Sequence, residues 1–303
     1  MDKIKSWLKK SLFIVLLVNY KRILFQKIRL NKYDDETWVC KSYQKTLGRE
    51  LDLENPKRFT EKLQWLKLNH RNPIMSKIVD KIALREYLSE KGYGEYTIPV
   101  FATYNSVKEI DFNNLPERCI FKASCGSNML LIKNGKIKHI WLWKAIMNSW
   151  LKMNIYVEGR EWPYKDAKRG IVCEYFVEAK TENKLKDYKF YCFSGEPKYF
   201  QIDSDLLKNH TIDFYTIDCE RIPVQRAYPN SNKEIPKSVN FDLMVNIAKD
   251  LSKDFPHVRV DFFEYDDTIK ISEMTFFDFC GFSKFEPDEY DYIFGDMLKL
   301  EKF

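Results

Sequence analysis

A chain of 303 residues that is 45% hydrophobic and 16% aromatic can bury a sizeable core, which excludes a disordered protein and fits one large domain or two coupled lobes. Its net charge of +6 arises from Lys and Arg spread among Asp and Glu along the whole chain, which argues against a general nucleic-acid binder. The seven cysteines, Cys40, Cys119, Cys125, Cys173, Cys192, Cys219 and Cys280, are scattered and never spaced as CxxC, so free thiols in a reducing compartment fit better than disulfides or structural zinc.

Residues 1–30, MDKIKSWLKKSLFIVLLVNYKRILFQKIRL, set the apolar run Leu12–Val18 among Lys3, Lys5, Lys9, Lys10, Lys21, Arg22, Lys27 and Arg29. Spanning a bilayer takes about 20 apolar residues, so this run is too short for a transmembrane helix. No small-residue cleavage site follows it, which separates it from a secretory signal. A basic amphipathic helix on the cytoplasmic face of a membrane fits the pattern. The competing reading is an ordinary helix packed on the main domain.

Residues 31–94 read as a helical region, with turns at Asn55-Pro56 and Asn72-Pro73, a helix through Phe59–Leu68 and another from Ser76 to Lys91 that stops at Gly92 or Gly94. Within it, Asp80-Lys81 followed by Arg85 is a spacing that alone marks only a solvated helix face. YTIPVFATY then reads as a strand with a proline-marked entrance, which suits an α/β or α+β fold.

Cys119–Lys122 reads as a strand ending in a lysine, followed by the small polar loop Ala123–Asn128 and the strand Met129–Ile132. A lysine leaving a strand beside such a loop can neutralise phosphate while loop N–H groups cradle it. A plain hairpin turn is the alternative, and the order is wrong for a GxxxxGK[ST] P-loop. Trp141–Tyr156 is helical, Glu158–Arg169 a polar loop and Gly170–Val177 strongly β. Past a lysine-rich turn, Asp187–Phe193 alternates polar and aromatic residues, Ser194–Pro197 turns, and Lys198–Ile202 completes a hairpin. A helix from Phe241 to Phe255 follows. The aromatic and acidic stretch Gly281–Gly295 either lines a cleft or packs.

The most informative stretch is Val258–Phe276, VRVDFFEYDDTIKISEMTF. Val258, Val260 and Phe262 alternate with Arg259 and Asp261, Asp266-Asp267 interrupts, and Ile269 and Ile271 alternate with Lys270 and Ser272, so a β-hairpin is predicted. Pairing through the turn can bring Asp261 and Glu273 to one end of one face, beside Arg259. Acids on a strand among apolar residues are costly to bury unpaired, and a hard divalent cation such as Mg²⁺ with bound phosphates is one resolution. A solvated surface ion pair is the other.

In order and spacing, Asp80-Lys81, Phe121-Lys122 with its small-residue loop, Glu174-Tyr175-Phe176-Val177, Asp187-Tyr188-Lys189, Arg259-Val260-Asp261 and Glu273-Met274-Thr275-Phe276 resemble the ATP-grasp superfamily. Within it, NPKRFTEKLQWLKL, DKIALREYLSEKGY, DYKFYCFSGEPKYF, VRVDFF and EMTFF resemble the TupA-like proteins of teichuronopeptide and capsular-polysaccharide biosynthesis, from Asn55 to Gly295. Many ATP-grasp enzymes carry Asn two residues after the last metal-binding Glu; Thr275 stands there here, as in the TupA-like branch.

The resemblance implies an α+β ATP-grasp fold of two lobes with nucleotide between them, over residues 95–173 and 174–303, preceded by the 1–30 helix and the 31–94 helical region. It implies that Lys81 and Lys122 contact ATP phosphates under a loop containing Ser124, Gly126 and Ser127. Glu174, Tyr175, Phe176 and Val177 would connect the lobes and meet adenine, with Asp187 and Lys189 on the second lobe. Asp261 and Glu273 would hold Mg²⁺, and Arg259, with Lys189, would serve the reacting phosphoryl and acyl groups. The activity implied is an ADP-forming carboxylate–amine ligase, acting on a uronic acid of a surface polysaccharide or its lipid-linked precursor and on an amino acid or other amine. It would be bacterial, cytoplasmic and peripheral to an anionic membrane, with no nucleic-acid partner. Two alternatives stay open: a glycosyltransferase of the same kind of pathway, which would consume a sugar nucleotide, and a non-catalytic nucleotide-binding assembly protein.

Overall fold

The computed structural model describes residues 11–30, 32–177, 185–204, 210–231, 233 and 237–300. The helices in chain order are α1 Leu12–Leu30, α2 Asp35–Leu47, α3 Phe59–Asn69, α4 Ile74–Ile78, α5 Lys81–Glu90, α6 Ile140–Lys152, α7 Tyr156–Gly159, α8 Phe241–Ser252 and α9 Glu289–Met297. The strands are β1 Val100–Tyr104, β2 Arg118–Ala123, β3 Leu130–Asn134, β4 Ile171–Tyr175, β5 Lys186–Phe193, β6 Glu196–Ser204, β7 Thr211–Thr216, β8 Arg221–Ile222, β9 His257–Tyr265 and β10 Thr268–Thr275. Residues 1–10 of the expected basic helix, with Lys3, Lys5, Lys9 and Lys10, lie outside the described residues.

Contacts divide the chain into two units, one within Met1–Asp34, Pro73–Tyr87 and Ile98–Val177 and the other within Asp35–Asn72, Leu88–Thr97 and Glu178–Phe303. This contact division differs from the boundaries expected from the sequence. The 31–94 region is not a module of its own, because Phe59 of α3 packs edge-on against Tyr191, Phe193, His257, Phe285 and Phe294 of the second unit. The division after the connecting strand falls at Val177/Glu178 rather than ahead of Glu174.

The first unit is built on an antiparallel sheet in the order β1-β4-β2-β3. On one face Cys119, Phe121, Leu131, Ile171 and Cys173 pack beneath Ile146, Met147 and Trp150 of α6. Strand alternation turns Ile120, Lys122, Val172 and Glu174 to the other face, where Leu130 and Ile132 are exposed. The single helix expected from Ser76 to Lys91 is broken into α4 and α5. Buried Asp80 stands at the break, and its Oδ1 accepts the N–H of Ile82 at 2.8 Å, a short acid satisfying a helix N-terminus. The helix expected over Trp141–Tyr156 also splits, into α6 and the short α7.

The second unit is a six-stranded antiparallel sheet, β10-β9-β5-β6-β7-β8. α8 covers one face, with Phe241 against Phe190 and Phe200. α3 and α9 cover part of the other, where Phe294 stacks on Tyr199 at 4.4 Å. Asp291 of α9 caps α3 from a distance in sequence, its Oδ1 accepting Thr60 N–H at 2.9 Å and its Oδ2 the Thr60 hydroxyl at 2.7 Å. The Gly281–Gly295 stretch therefore packs through its α9 part. β7 and β8 extend the sheet beyond the hairpin that the alternation predicts.

The β9–β10 hairpin turns at Asp266 and Asp267, with φ of 46° and 57°. Two successive positive φ values are those of a type I′ turn, and Asp tolerates them better than most residues. Further along, a bulge between Ile271 and Glu273 sets Ser272 out of register, so that Glu273 pairs with Asp261. Without that extra residue in the count, Glu273 would oppose Val260, whose side chain belongs to the α8 face.

Candidate functional site

In the first unit, Lys122 leaves β2 on the face away from α6, and its Nζ lies 2.6 Å from Oε2 of Glu174 on the adjacent strand. Arg85 adds positive charge near Glu174 while donating to the carbonyl of Ile98. Burial pushes the Arg85 guanidinium below its usual range. Lys81 begins α5; its N–H donates to Ser124 O at 2.9 Å and its Nζ to Gly126 O at 3.0 Å, which ties it to the loop after β2. Gly126 holds φ +91°, a left-handed conformation that favours glycine.

Ser124, expected in the loop over the phosphates, holds that loop in place. It is fully buried, its Oγ accepts the Gly170 N–H at 2.9 Å and reaches Lys168 O at 3.3 Å, and it thus pins the loop to the start of β4. Ser127 and Asn128 are the exposed residues of the loop, and Gly126 is half-buried. Of the connecting residues, Tyr175 is exposed, with its ring edge-on to Phe101, and Phe176 lies under Arg118 at 4.3 Å. Val177 closes the first unit.

In the second unit, strand register assembles a row. Asp261 of β9 pairs with Glu273 of β10 on one side and with Lys189 of β5 on the other, and Lys189 pairs in turn with Gln201 of β6. All four therefore point to the face opposite α8. Arg259, two residues from Asp261 on the same face, donates Nε to Asp261 Oδ1 at 2.8 Å and Nη2 to Oδ2 at 2.6 Å. The same Nη2 lies 3.4 Å from Glu273 Oε1 and from Thr275 Oγ1. Asp261 is 1% exposed, which rules out the solvated surface pair.

Burial pushes Asp261 well above the usual carboxylate range, Arg259 opposes this, and the neighbouring Glu273 adds to it. Arg259 is held firmly protonated because Asp261 outweighs the cost of its burial. Lys189 is likewise held protonated against its burial by Asp187, Asp203 and Asp261. Its Nζ sits 2.5 Å from Asp203 Oδ2 and 3.2 Å from Asp187 Oδ2. Burial, with Asp203 alongside, pushes Asp187 up to about 6, and its buried Oδ1 has no hydrogen-bond partner among the described residues.

Several participants were not legible as such in the sequence. Asp203 accepts from Lys189, from Gln201 Nε2 at 2.6 Å and pairs with His210 Nε2 at 3.1 Å. Tyr191 donates to Gln201 Oε1 at 2.6 Å and lies 3.2 Å from Asp278, which Arg226 Nη1 holds at 2.6 Å. The available signal was the Gln201-x-Asp203 alternation between Phe200 and Ile202, which the Ser194-Gly195 turn sets opposite Lys189 and Asp187.

Among the described residues no group of three or more His, Cys, Asp and Glu is arranged to hold a metal ion. Asp261 and Glu273 are two hard oxygen donors side by side. Mg²⁺ commonly takes one or two carboxylates and completes its octahedron with water and phosphate oxygens, so this pair would fit part of a Mg²⁺ ligand set and not a closed protein cage.

A family model described as TupA-like ATP-grasp matches residues 61–299. No curated protein matches the chain. Similar solved structures include a D-alanine–D-alanine ligase of Bacillus anthracis, at 15% identity and TM-score 0.38, over 65% of this chain and 56% of that one. An N5-carboxyaminoimidazole ribonucleotide synthetase of Thermus thermophilus matches at 9% identity and TM-score 0.37, over 66% and 45%. A D-alanine–D-alanine ligase of Helicobacter pylori matches at 13% identity and TM-score 0.37, over 80% and 70%. The chain spans about half the length of the first two, and likeness at this level carries no argument about activity.

Proposed function

This chain belongs to the TupA-like ATP-grasp family, and we propose that it is an ATP-dependent, ADP-forming carboxylate–amine ligase. The observation that carries the reading is the register-paired row Lys189–Asp261–Glu273 with Arg259 beside it. Two cations and two carboxylates gathered on one sheet face suit a polyphosphate that arrives with its metal ion.

In this reading a substrate carboxylate oxygen attacks the γ-phosphorus of ATP and ADP leaves. The amine then attacks the acyl carbonyl carbon, inorganic phosphate departs, and the amine loses a proton as the amide forms. Lys81 and Lys122 meet the phosphates, under the loop that carries Gly126 and Ser127. Glu174–Val177 offer backbone groups to adenine. Asp261 and Glu273 would hold Mg²⁺, which supplies neutralisation of phosphate charge when bound. Arg259, held protonated by Asp261, steadies the negative charge that builds on the acyl group, and Lys189 that on the transferring phosphoryl group. Asp187 and Asp203 fix the Lys189 ammonium in place. Positioning and electrostatics then account for most of the rate.

For substrates we propose a uronic-acid carboxylate of a surface polysaccharide or its lipid-linked precursor, joined to an amino acid or other amine. The enzyme would work at the cytoplasmic face of a membrane, where a lipid-linked acceptor is presented. No helix among the described residues is long and apolar enough to cross one. The test is the identity of the nucleotide product, with candidate uronates and amines supplied together. ADP and phosphate released in step with amide supports the ligase. UDP from a sugar nucleotide, or no turnover with intact ATP binding, replaces it with a glycosyltransferase or an assembly protein.

A further inference from the structure

A helix on the surface of a domain ordinarily turns its apolar stripe inward, and α1 does this only in part. Leu16 joins the core of the first unit, with Leu12, Val15 and Ile23 packed against it. The same inward side also buries Asn19 and Gln26, and these are built in by specific bonds. Asn19 Nδ2 donates to Ser149 Oγ of α6 at 2.8 Å. Gln26 Nε2 donates to Glu158 Oε1 at 2.6 Å, and its Oε1 accepts the Asn154 N–H at 2.9 Å. Arg22 is ion-paired with the same Glu158. α1 is therefore fixed in rotation, with one side packed on the domain as the ordinary-helix reading expects.

The side left outward is apolar. Phe13, Leu17, Leu24 and Ile28 are each more than half exposed, and Tyr20 nearly half. Their spacing of three and four residues puts them in one stripe along the helix. Lys21 borders the stripe on one side and Lys27 on the other, and α1 contains no acidic residue. Beside the stripe, a groove of about 280 Å³ is lined by Val18, Phe25 and Val157, by Lys21 and Arg29, and by the Arg22–Glu158 pair with Gln26.

We infer that this outward stripe is a docking surface for an anionic lipid leaflet, with the adjacent groove accepting a phospholipid headgroup beside Lys21 and Arg29. Apolar side chains then enter the acyl boundary while the lysines reach phosphates on both flanks. Charge decides against a second copy of this chain as occupant, because two all-basic helices laid face to face repel, whereas anionic lipid attracts the same residues. The inference rests on the membrane side of the proposed function and not on its chemistry.

The test uses the full-length protein with phosphatidylcholine vesicles, with and without phosphatidylglycerol, read by co-sedimentation. Wild type should pellet with the anionic vesicles and be partly released by high salt. Leu17→Ser with Leu24→Ser should cut partitioning about tenfold or more. Lys21→Gln and Lys27→Gln should each cut it about fivefold, and only on anionic vesicles. Because these side chains point away from the packed side, the thermal midpoint and nucleotide affinity of every variant should match wild type. Wild type that stays in the supernatant, or binds neutral and anionic vesicles alike, overturns the inference. So does a wild-type dimer that Leu17→Ser with Leu24→Ser dissolves, which would assign the stripe to a second copy. Nucleotide affinity measured in the same samples keeps any of these failures separate from failure of the ligase reading.

Discussion

Asp261 and Glu273 face each other on adjacent strands, with Arg259 and Lys189 supplying positive charge beside them. Asp261→Asn and Glu273→Gln keep volume and remove charge, so each is expected to lower turnover on the order of a hundredfold while the cooperative melt survives. Near-wild-type rates in both at saturating Mg²⁺ contradict the metal assignment. His257 makes a second residue-level prediction. Burial pushes its imidazole down to about 4, and its Nδ1 lies 2.9 Å from Cys192 O. It is neutral when folded, so its contribution to stability is complete above its ordinary value near 6.5 and is lost as pH falls towards about 4. The stability difference between wild type and His257→Gln should therefore shrink by on the order of 3 kcal/mol across that window. A difference that does not vary with pH contradicts the buried neutral imidazole. The charged residues on the hairpin were readable because they interrupt apolar alternation. Asp203 and Gln201 were not, because their meaning depends on which strand lies beside them.

At the scale of elements, the hairpin was legible from period-two alternation and from Asp266-Asp267, two residues that tolerate positive φ. The bulge at Ser272 was not, since nothing in ISEMT marks which residue drops out of register, and yet it is what brings Glu273 to Asp261. The break between α4 and α5 was missed for a related reason. The apolar spacing continues through it, and the capping of Ile82 N–H by Asp80 outweighs that spacing. Helix α9 offers a sharp test of packing. A Cβ on Gly295 would stand 2.1 Å from Lys57 O and 2.8 Å from Phe59 N, backbone atoms that cannot swing aside. Gly295→Ala should cost at least about 2 kcal/mol and lower the melting midpoint by about 5 °C or more. An unchanged midpoint contradicts the close approach of α9 to the start of α3.

At the scale of the molecule, the ordered motifs carried the family and the α+β fold class, whereas the partition of the chain was hidden. Local patterns made 31–94 look like one region, whereas α2 and α3, held by the aromatic contacts of Phe59, fall in the second unit and α4 with most of α5 in the first. The ligase reading requires nucleotide to engage both Lys122 and Lys189. Calorimetric titration of a non-hydrolysable ATP analogue with Mg²⁺ addresses this directly. Wild type should bind, and Lys122→Ala and Lys189→Ala should each weaken binding about tenfold or more, as loss of a charge-assisted phosphate contact does. Affinity unchanged in both variants, or wild type that ignores the ATP analogue while binding a uridine diphosphate sugar, would contradict it.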